Sequence, residues 1–156
     1  MNIFYLDKDI KKCAEYHSDK HVVKMITETA QLLNSVYYFT GENNKAKYKL
    51  THKNNPCAVW VRESLSNWKW LKEFGVALYD EYKYRYNNKT HKAGEVILGL
   101  TEPSLMDMGL TEFALAMPKQ YRCADPVTAY RSYYIGEKKG IARYTNRDFP
   151  EWLLVG

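Results

Sequence analysis

Ser18-Asp19-Lys20-His21-Val22-Val23-Lys24-Met25-Ile26-Thr27-Glu28-Thr29-Ala30-Gln31-Leu32-Leu33-Asn34-Ser35-Val36-Tyr37-Tyr38-Phe39-Thr40-Gly41 is the stretch on which the fold turns. Ser18 or Asp19 supplies a cap, because a short polar side chain can accept the first orphan amide hydrogens. Val22, Ile26, Ala30, Leu33 and Tyr37 then recur at steps of three and four, a stripe that one face of a helix buries. Gly41 is the stop. Upstream, Asp7 predicts a cap for a short helix over residues 8–16. Downstream, residues 42–55 form a polar loop with Lys45, Lys47, Lys49 and Lys53 opposed only by Glu42. Asn55-Pro56 is a helix start, a capping side chain followed by proline at the first helical position. The apolar positions from Val59 to Tyr82 predict one long or two consecutive helices to about Tyr86, broken at Asn87-Asn88. Thr90 predicts a cap on a short helix through Leu98. Pro103, Gly109 and Pro118 make residues 99–120 an ordered loop with at most a turn of helix. Asp125-Pro126 repeats the start signal and opens a last helix through about Ala142. Phe149-Pro150-Glu151-Trp152 predicts a tail folded back on the core. No alternating strand pattern competes, so the chain reads as mostly α: a compact single-domain helical protein over residues 1–156 with a long ordered loop.

Composition narrows the function without choosing it. The 156 residues are 46% hydrophobic and 26% charged, which excludes wholesale disorder. No run approaches the roughly 18–20 apolar residues of a membrane span, so no membrane partner is expected. Met1-Asn2-Ile3-Phe4-Tyr5-Leu6-Asp7 lacks a basic start and meets an acid too early for a signal peptide. Three widely spaced cysteines, with no C-x-x-C pair, point to buried thiols in a reduced cytosolic setting. The unusual number is 14 Tyr and 4 Trp in a chain of net charge +5. Residues 119–147 hold seven basic and two acidic side chains, so that segment alone carries +5; it also contains Tyr121, Tyr130, Tyr133, Tyr134 and Tyr144. Basic residues interleaved with aromatics suit phosphate contact and base stacking, while a solvated helix with inward tyrosines is the plainer alternative.

The densest reactive set is His17, His21, Lys24 and Glu28, spaced to share one helical face beside the apolar stripe. A glutamate and histidines at a core boundary can carry the perturbed pKa values that acid–base work needs. A solvated face with i,i+4 pairs has the same spacing. Cys13, His17 and His21 also have ligand types that zinc accepts, but they need one unbroken helix across Ser18-Asp19, where a cap is expected; no metal is expected. His52 precedes the Asn55-Pro56 helix start, where backbone amides favour anions, and Arg62 lies on the next helix where it could line the same cleft. His91 is a weaker candidate of the same kind.

Asp19-Lys20-His21, with Glu28 seven residues beyond the histidine, resembles the start of the phage pyrimidine-dimer DNA glycosylases, the endonuclease V of DNA repair. Tyr130-Arg131-Ser132-Tyr133-Tyr134-Ile135-Gly136-Glu137-Lys138 is similar to that family's tyrosine-rich C-terminal segment, which meets DNA. The chain also resembles phage and large-virus proteins given the same repair label, which implies a cytoplasmic site of action in an infected host cell. The resemblance implies a compact, nearly all-α glycosylase and lyase without metal or other cofactor, acting on double-stranded DNA; a monomer is expected. It implies that the α-amine of the chain start, here Met1, attacks C1′ of the damaged nucleotide and forms a Schiff base, and that Glu28 assists strand cleavage by β-elimination. His21 becomes a DNA-contacting or orienting group. Around it, His17, Lys20, Lys24, His52, Arg62, Tyr130, Arg131, Tyr133, Tyr134, Lys138 and Lys139 become candidates for nucleic-acid contact. An α-amine, with an ordinary pKa of about 7.7–8.0, is partly unprotonated at neutral pH and suits this chemistry.

The chain departs from that family at three positions. Asn2 disfavours excision of Met1, so Met1 is expected to stay. The chain begins several residues further upstream of His21. The arginine three residues past the glutamate is Gln31. Two other readings therefore stand beside the glycosylase: a non-catalytic nucleic-acid-binding accessory protein using residues 119–147, and another base- or nucleotide-processing enzyme with His21, Glu28, His52 and Arg62 around one pocket. The distance from the Met1 amine to Glu28 separates them.

Overall fold

A computed structural model describes residues 1–154. Among these residues every regular element is helical: α1 (Ile10–Glu15), α2 (Asp19–Ser35), α3 (Pro56–Val61), α4 (Leu65–Arg85), α5 (Lys92–Gly99), α6 (Pro126–Tyr133) and α7 (Glu151–Leu154), with short 3-10 and π turns between them. No helix is long and apolar enough to cross a membrane.

The long helix forms where its stripe and stop signals place it. Ser18 is its N-cap residue, although its side chain makes no capping hydrogen bond, and a 3-10 turn, Val36–Phe39, prolongs it. Gly41 then adopts φ +71, a left-handed conformation that glycine enters without steric cost. Asn55 caps α3 by accepting from Cys57 N, with Pro56 at the first turn. The run from residue 56 to 85 divides in two at Arg62-Glu63-Ser64, and Asn87 and Asn88 (φ 53 and 57) end α4.

Four local readings change. α1 is capped by Asp9, which accepts from Lys12 N, whereas Asp7 folds back onto Asp9 N at 2.8 Å in a side-chain turn. α5 is capped by the ring of His91, which accepts from Ala93 N, so the Thr90 cap is replaced by its neighbour. α6 stops at Tyr133; a π turn, Tyr134–Lys138, and a 3-10 turn, Lys139–Ile141, continue the path as far as Ala142. The tail folds back, and does so as a further short helix, α7, with Trp152 against Tyr16 and Tyr134.

α2 packs along α4, with α5 against both. At their meeting point a Cβ on Gly75 would lie 3.0 Å from both Thr29 Cγ2 and Ile97 Cδ1, so the absence of a side chain there sets how closely the three helices approach. Ile26, Ala30, Leu33, Leu71, Leu78 and Ile97 are fully buried at this seam.

The feature that positions the site is at the beginning of the chain. Ile3, Phe4, Tyr5 and Leu6 are at most 9% exposed, a non-helical segment threaded through the helical core, with Leu6 N donating to Phe4 O at 3.1 Å. Phe4 stacks on His21 with ring centroids 4.5 Å apart, and Tyr5 stacks on Phe113 at 3.7 Å. A buried segment outside the helices lacks helical partners for its backbone, so side chains supply several of them. The Cys13 thiol donates to Phe4 O, and Arg131 Nε donates to Leu6 O at 2.8 Å.

Candidate active site

Anchoring residues 3–6 leaves the preceding two residues held rather than fraying. Met1 N lies 3.5 Å from Glu28 Oε1, and Asn2 N donates to the same oxygen at 3.0 Å. The Met1 side chain is 5% exposed, and Met1 O accepts from Asn55 Nδ2 at 3.0 Å. The Asn2 side chain is the pivot. Its Nδ2 donates to Ala116 O at 2.9 Å, while Oδ1 accepts from Ile3 N at 2.8 Å and lies 3.0 Å from the Tyr130 hydroxyl and 3.8 Å from Cys57 Sγ. Burial pushes the Cys57 thiol up to about 11, so at neutral pH it remains a thiol and can act as a donor. The Tyr130 hydroxyl accepts from Ala116 N and has one proton to share between Asn2 Oδ1 and Ala114 O, the latter at 2.7 Å. Four separate pieces of chain thus converge on residues 1 and 2: α2, the start of α3, the 99–117 loop and α6.

Glu28, half-buried on α2, also has Lys24 Nζ 3.8 Å from its second oxygen, one helical turn earlier. The carboxylate therefore sits between an α-amine and an exposed ammonium. Lys138, Lys24 and Lys20 all lie near enough to His21 to disfavour its protonation, so a basic rim runs along the N-terminal half of α2 beside Glu28.

Both histidines of the motif turn inward. His21 is 6% exposed; burial first, then Lys138, Lys24 and Lys20, lowers it to about 4. The Tyr134 hydroxyl accepts from Ser18 N and shares a hydrogen bond of 2.6 Å with His21 Nδ1. His17 is fully buried and lies before α2, not on it; burial first, then His21, lowers it to about 3. Its Nδ1 donates to Cys13 O at 2.7 Å, and Nε2 is buried without a partner. At neutral pH both rings are uncharged packing groups, so His17 has no exposed edge to offer DNA. The helix is broken at His17-Ser18, and among the described residues no three His, Cys, Asp or Glu side chains gather as a metal site.

Asp19 is structural as well. Its carboxylate accepts from Arg85 Nη1 at 3.0 Å, Thr145 N at 2.9 Å and Thr145 Oγ1 at 2.6 Å, which ties the C-terminal segment and α4 to the start of α2. Arg85 and Glu81 are almost wholly buried beneath it, and Arg147 spans Glu81 and Glu15. Burial alone raises the Glu81 carboxyl, but hydrogen bonds from Arg147 and Arg85 outweigh it and the net shift is downward.

The basic, tyrosine-rich segment is divided by the fold. Tyr130 and Tyr134 are fully buried and their hydroxyls are committed to Asn2 and the 99–117 loop, and to His21 and Ser18, so neither can stack on a base. Arg131 serves Leu6 O and pairs with Asp7 at 2.9 Å, and Arg147 belongs to the Glu81 cluster. Tyr133 stays half-exposed with Lys138 Nζ 5.3 Å from its ring centroid, and Lys139 is half-exposed beside it. Lys20 is exposed. His52 is exposed with φ 50, its Nδ1 2.7 Å from Thr51 Oγ1, and the Asn55 side chain already occupies an amide of the six-residue helix that follows. Arg62 donates to Lys53 O at 2.7 Å and stacks 4.0 Å from the Phe39 ring. Phe39 and His21 are eighteen residues apart on α2 and its extension, about 27 Å at helical rise. His21, Glu28, His52 and Arg62 therefore do not surround one pocket.

A cavity of about 960 Å³ runs between α1 and α4, but no residue of the chain start lines it. Its walls carry six carboxylates against four cations, a poor setting for DNA phosphates. The converging chemistry is at Met1 and Glu28.

The sequence named Glu28, Lys24 and Met1 as candidates and left the distance from the Met1 amine to Glu28 open; it did not single out the side chains of Asn2 and Asn55, which bond around the chain start. The available signal was a single polar residue, Asn2, directly ahead of four apolar ones.

In comparisons with known proteins, no curated protein and no solved structure matches the chain significantly. A family model described as pyrimidine dimer DNA glycosylase matches residues 1–93, more than half of the 156. The match takes in Met1, Asn2, His21, Glu28 and Asn55, while the tyrosine-rich segment lies beyond it. The family implies a DNA substrate, and the chain belongs to the pyrimidine dimer DNA glycosylases.

Proposed function

We propose that the protein is a DNA glycosylase with AP lyase activity that removes damaged or modified pyrimidines from duplex DNA through the α-amine of Met1 and the carboxylate of Glu28. The observation that carries this reading is the 3.5 Å separation between Met1 N and Glu28 Oε1. The chain start is further from His21 in sequence than in the family it resembles, yet the threading of residues 3–6 returns the amine to the glutamate.

In the first step the unprotonated amine attacks C1′ of the damaged nucleotide. A C1′–N bond forms, the glycosidic bond breaks, and the base leaves with its electron pair and takes up a proton. Opening of the sugar ring then gives a protonated imine at C1′. Glu28 is placed to take the proton the amine sheds and to stabilise the positive charge that develops. In the lyase step a base removes a C2′ proton, the electrons form the C2′–C3′ double bond, and the 3′ phosphate departs; Glu28, the carboxylate 3.5 Å from the amine, is our candidate for that base. Water releases the amine. The nucleotide must leave the base stack to reach this site, and Lys138, whose ammonium lies over the half-exposed Tyr133 ring, offers a phosphate contact beside it. The exposed Lys20 and Lys24 supply phosphate contacts where Gln31 cannot.

The test is borohydride reduction of protein mixed with duplex carrying an abasic site or a pyrimidine lesion. The reading predicts a covalent adduct, strand cleavage without reductant, and loss of both in Glu28→Gln. Absence of adduct and of cleavage over a panel of lesions refutes it.

A further inference from the structure

Residues 43–62 contain no Asp or Glu, and within them lie Lys47, Lys49 and Lys53. All three are exposed, and among the described residues none has an ion-pair partner; Lys45, by contrast, is neutralised by Glu42 at 2.6 Å. The loop that bears them is pinned at four points. Lys47 N donates to Asn34 Oδ1 at 2.7 Å, the Tyr38 hydroxyl donates to Tyr48 O at 2.9 Å, Arg62 Nη1 donates to Lys53 O at 2.7 Å, and Asn55 Nδ2 donates to Met1 O at 3.0 Å. The loop therefore starts beside the C-terminal half of α2 and ends at the residue whose amine faces Glu28.

Three exposed ammoniums on this loop have no ion-pair partner among the described residues. Held on an ordered loop with no acid in residues 43–62, they form a basic surface suited to an external polyanion. We infer that residues 47–53 form a second phosphate-binding arm, which holds the DNA backbone on the side of the chain start opposite Lys20, Lys24 and Lys138. From Lys20 to Asn34, where the arm begins, α2 rises about 21 Å, the length of about six nucleotides of one strand at 3.4 Å each. The duplex then straddles Met1 and Glu28, with phosphates gripped on either side of the nucleotide that is attacked. Backbone contacts of this kind set position and affinity and carry no sequence preference. The inference rests on DNA as the substrate and not on the amine chemistry.

The experiment measures the salt dependence of binding to an undamaged duplex for the wild-type protein, for Lys47→Gln/Lys49→Gln/Lys53→Gln, and for a charge-matched control, Lys11→Gln/Lys69→Gln/Lys72→Gln, taken from the walls of the α1–α4 cavity. Each phosphate contact contributes about 0.9 to the slope of log K against log salt. The arm variant is expected to lose about 2 to 3 from that slope and the control to keep the wild-type value. Borohydride trapping at saturating DNA is expected to stay within about twofold of wild type in the arm variant. An unchanged slope in the arm variant, or equal losses in both triple variants, overturns the arm. A wild-type protein that shows the arm's salt effect but traps no adduct refutes the amine chemistry and leaves the arm standing.

Discussion

Asn2 makes more of the bonds that hold the chain start than any residue named from the motif. Its side chain bonds Ala116 O, Ile3 N and the Tyr130 hydroxyl, and those bonds decide where the preceding amine points. Asn2→Ala leaves those partners unpaired near a buried tyrosine and is expected to cost about 1–3 kcal/mol. Borohydride trapping should slow at least tenfold even at temperatures where the variant is folded, as judged by circular dichroism; trapping at the wild-type rate contradicts the positioning role. The histidines make a different prediction. His17 and His21 are held at about 3 and about 4 in the folded protein, against about 6.5 in an unfolded chain. The unfolded chain therefore binds more protons between those values. Their contribution is fully present above pH about 6.5 and is lost as pH falls through about 4. Stability should drop by up to about 1.4 kcal/mol per pH unit for each ring across that window. Melting curves between pH 7 and 4.5 check this: His17→Asn should show a clearly shallower decline than wild type, and a melting temperature flat with pH contradicts the assignment. The spacing of His17, His21 and Glu28 was legible in the sequence. Their environments were not, because which face of α2 meets Tyr134 and Phe4 depends on segments over a hundred residues away or on a buried chain start that no periodicity announces.

At the level of elements, strong local signals held and weak ones shifted by a residue or two. Asn55-Pro56, Asp125-Pro126, Gly41 and the α2 stripe all act as their chemistry dictates, because a cap, a fixed φ or a left-handed turn is decided within four residues. Asp7 lost its helix to Asp9, and Thr90 to His91, where two adjacent polar residues could each have capped. The π turn at residues 134–138 has no local signal; there Gly136 lies against the Tyr121 ring, which leaves no room for a Cβ. Close approach at α5 gives a second test of packing. A Cβ on Gly94 would sit 2.5 Å from the Tyr79 ring, so Gly94→Ala must push α5 off α4. A loss of about 1–3 kcal/mol is expected in denaturant unfolding, and a neutral result contradicts the packing. Arg85 is the corresponding electrostatic test. Arg85→Met removes one of the two arginines on buried Glu81 and one of the donors to Asp19, while Arg147 and Thr145 remain, and is expected to cost about 1.5–3 kcal/mol in denaturant unfolding; a neutral result contradicts the role. The same substitution loosens the tie between α2 and the C-terminal segment.

For the whole molecule, a net charge of +5 that equals the charge of residues 119–147 suggested one DNA-binding face near the C-terminus. Folding redistributes it. Arg131 and Arg147 pair with Asp7, Glu81 and Glu15, and Tyr130 and Tyr134 are core, so the DNA contacts proposed above fall to other cations: Lys20, Lys24 and Lys138 toward the start of α2, and Lys47, Lys49 and Lys53 on the loop that ends at Asn55. A linear charge tally cannot register which cations find internal partners, which is why the mostly helical class was legible and the pairing of Arg131 and Arg147 was not. The chain start is the centre of this arrangement, and its chemistry is the central claim. The most direct measurement is peptide mapping by mass spectrometry of the borohydride-trapped complex with duplex DNA containing an abasic site. The account predicts the reduced sugar on the α-nitrogen of the N-terminal peptide that begins at Met1, and no adduct with Glu28→Gln. An adduct on the side chain of Lys20 or Lys24, or undiminished trapping by Glu28→Gln, contradicts it.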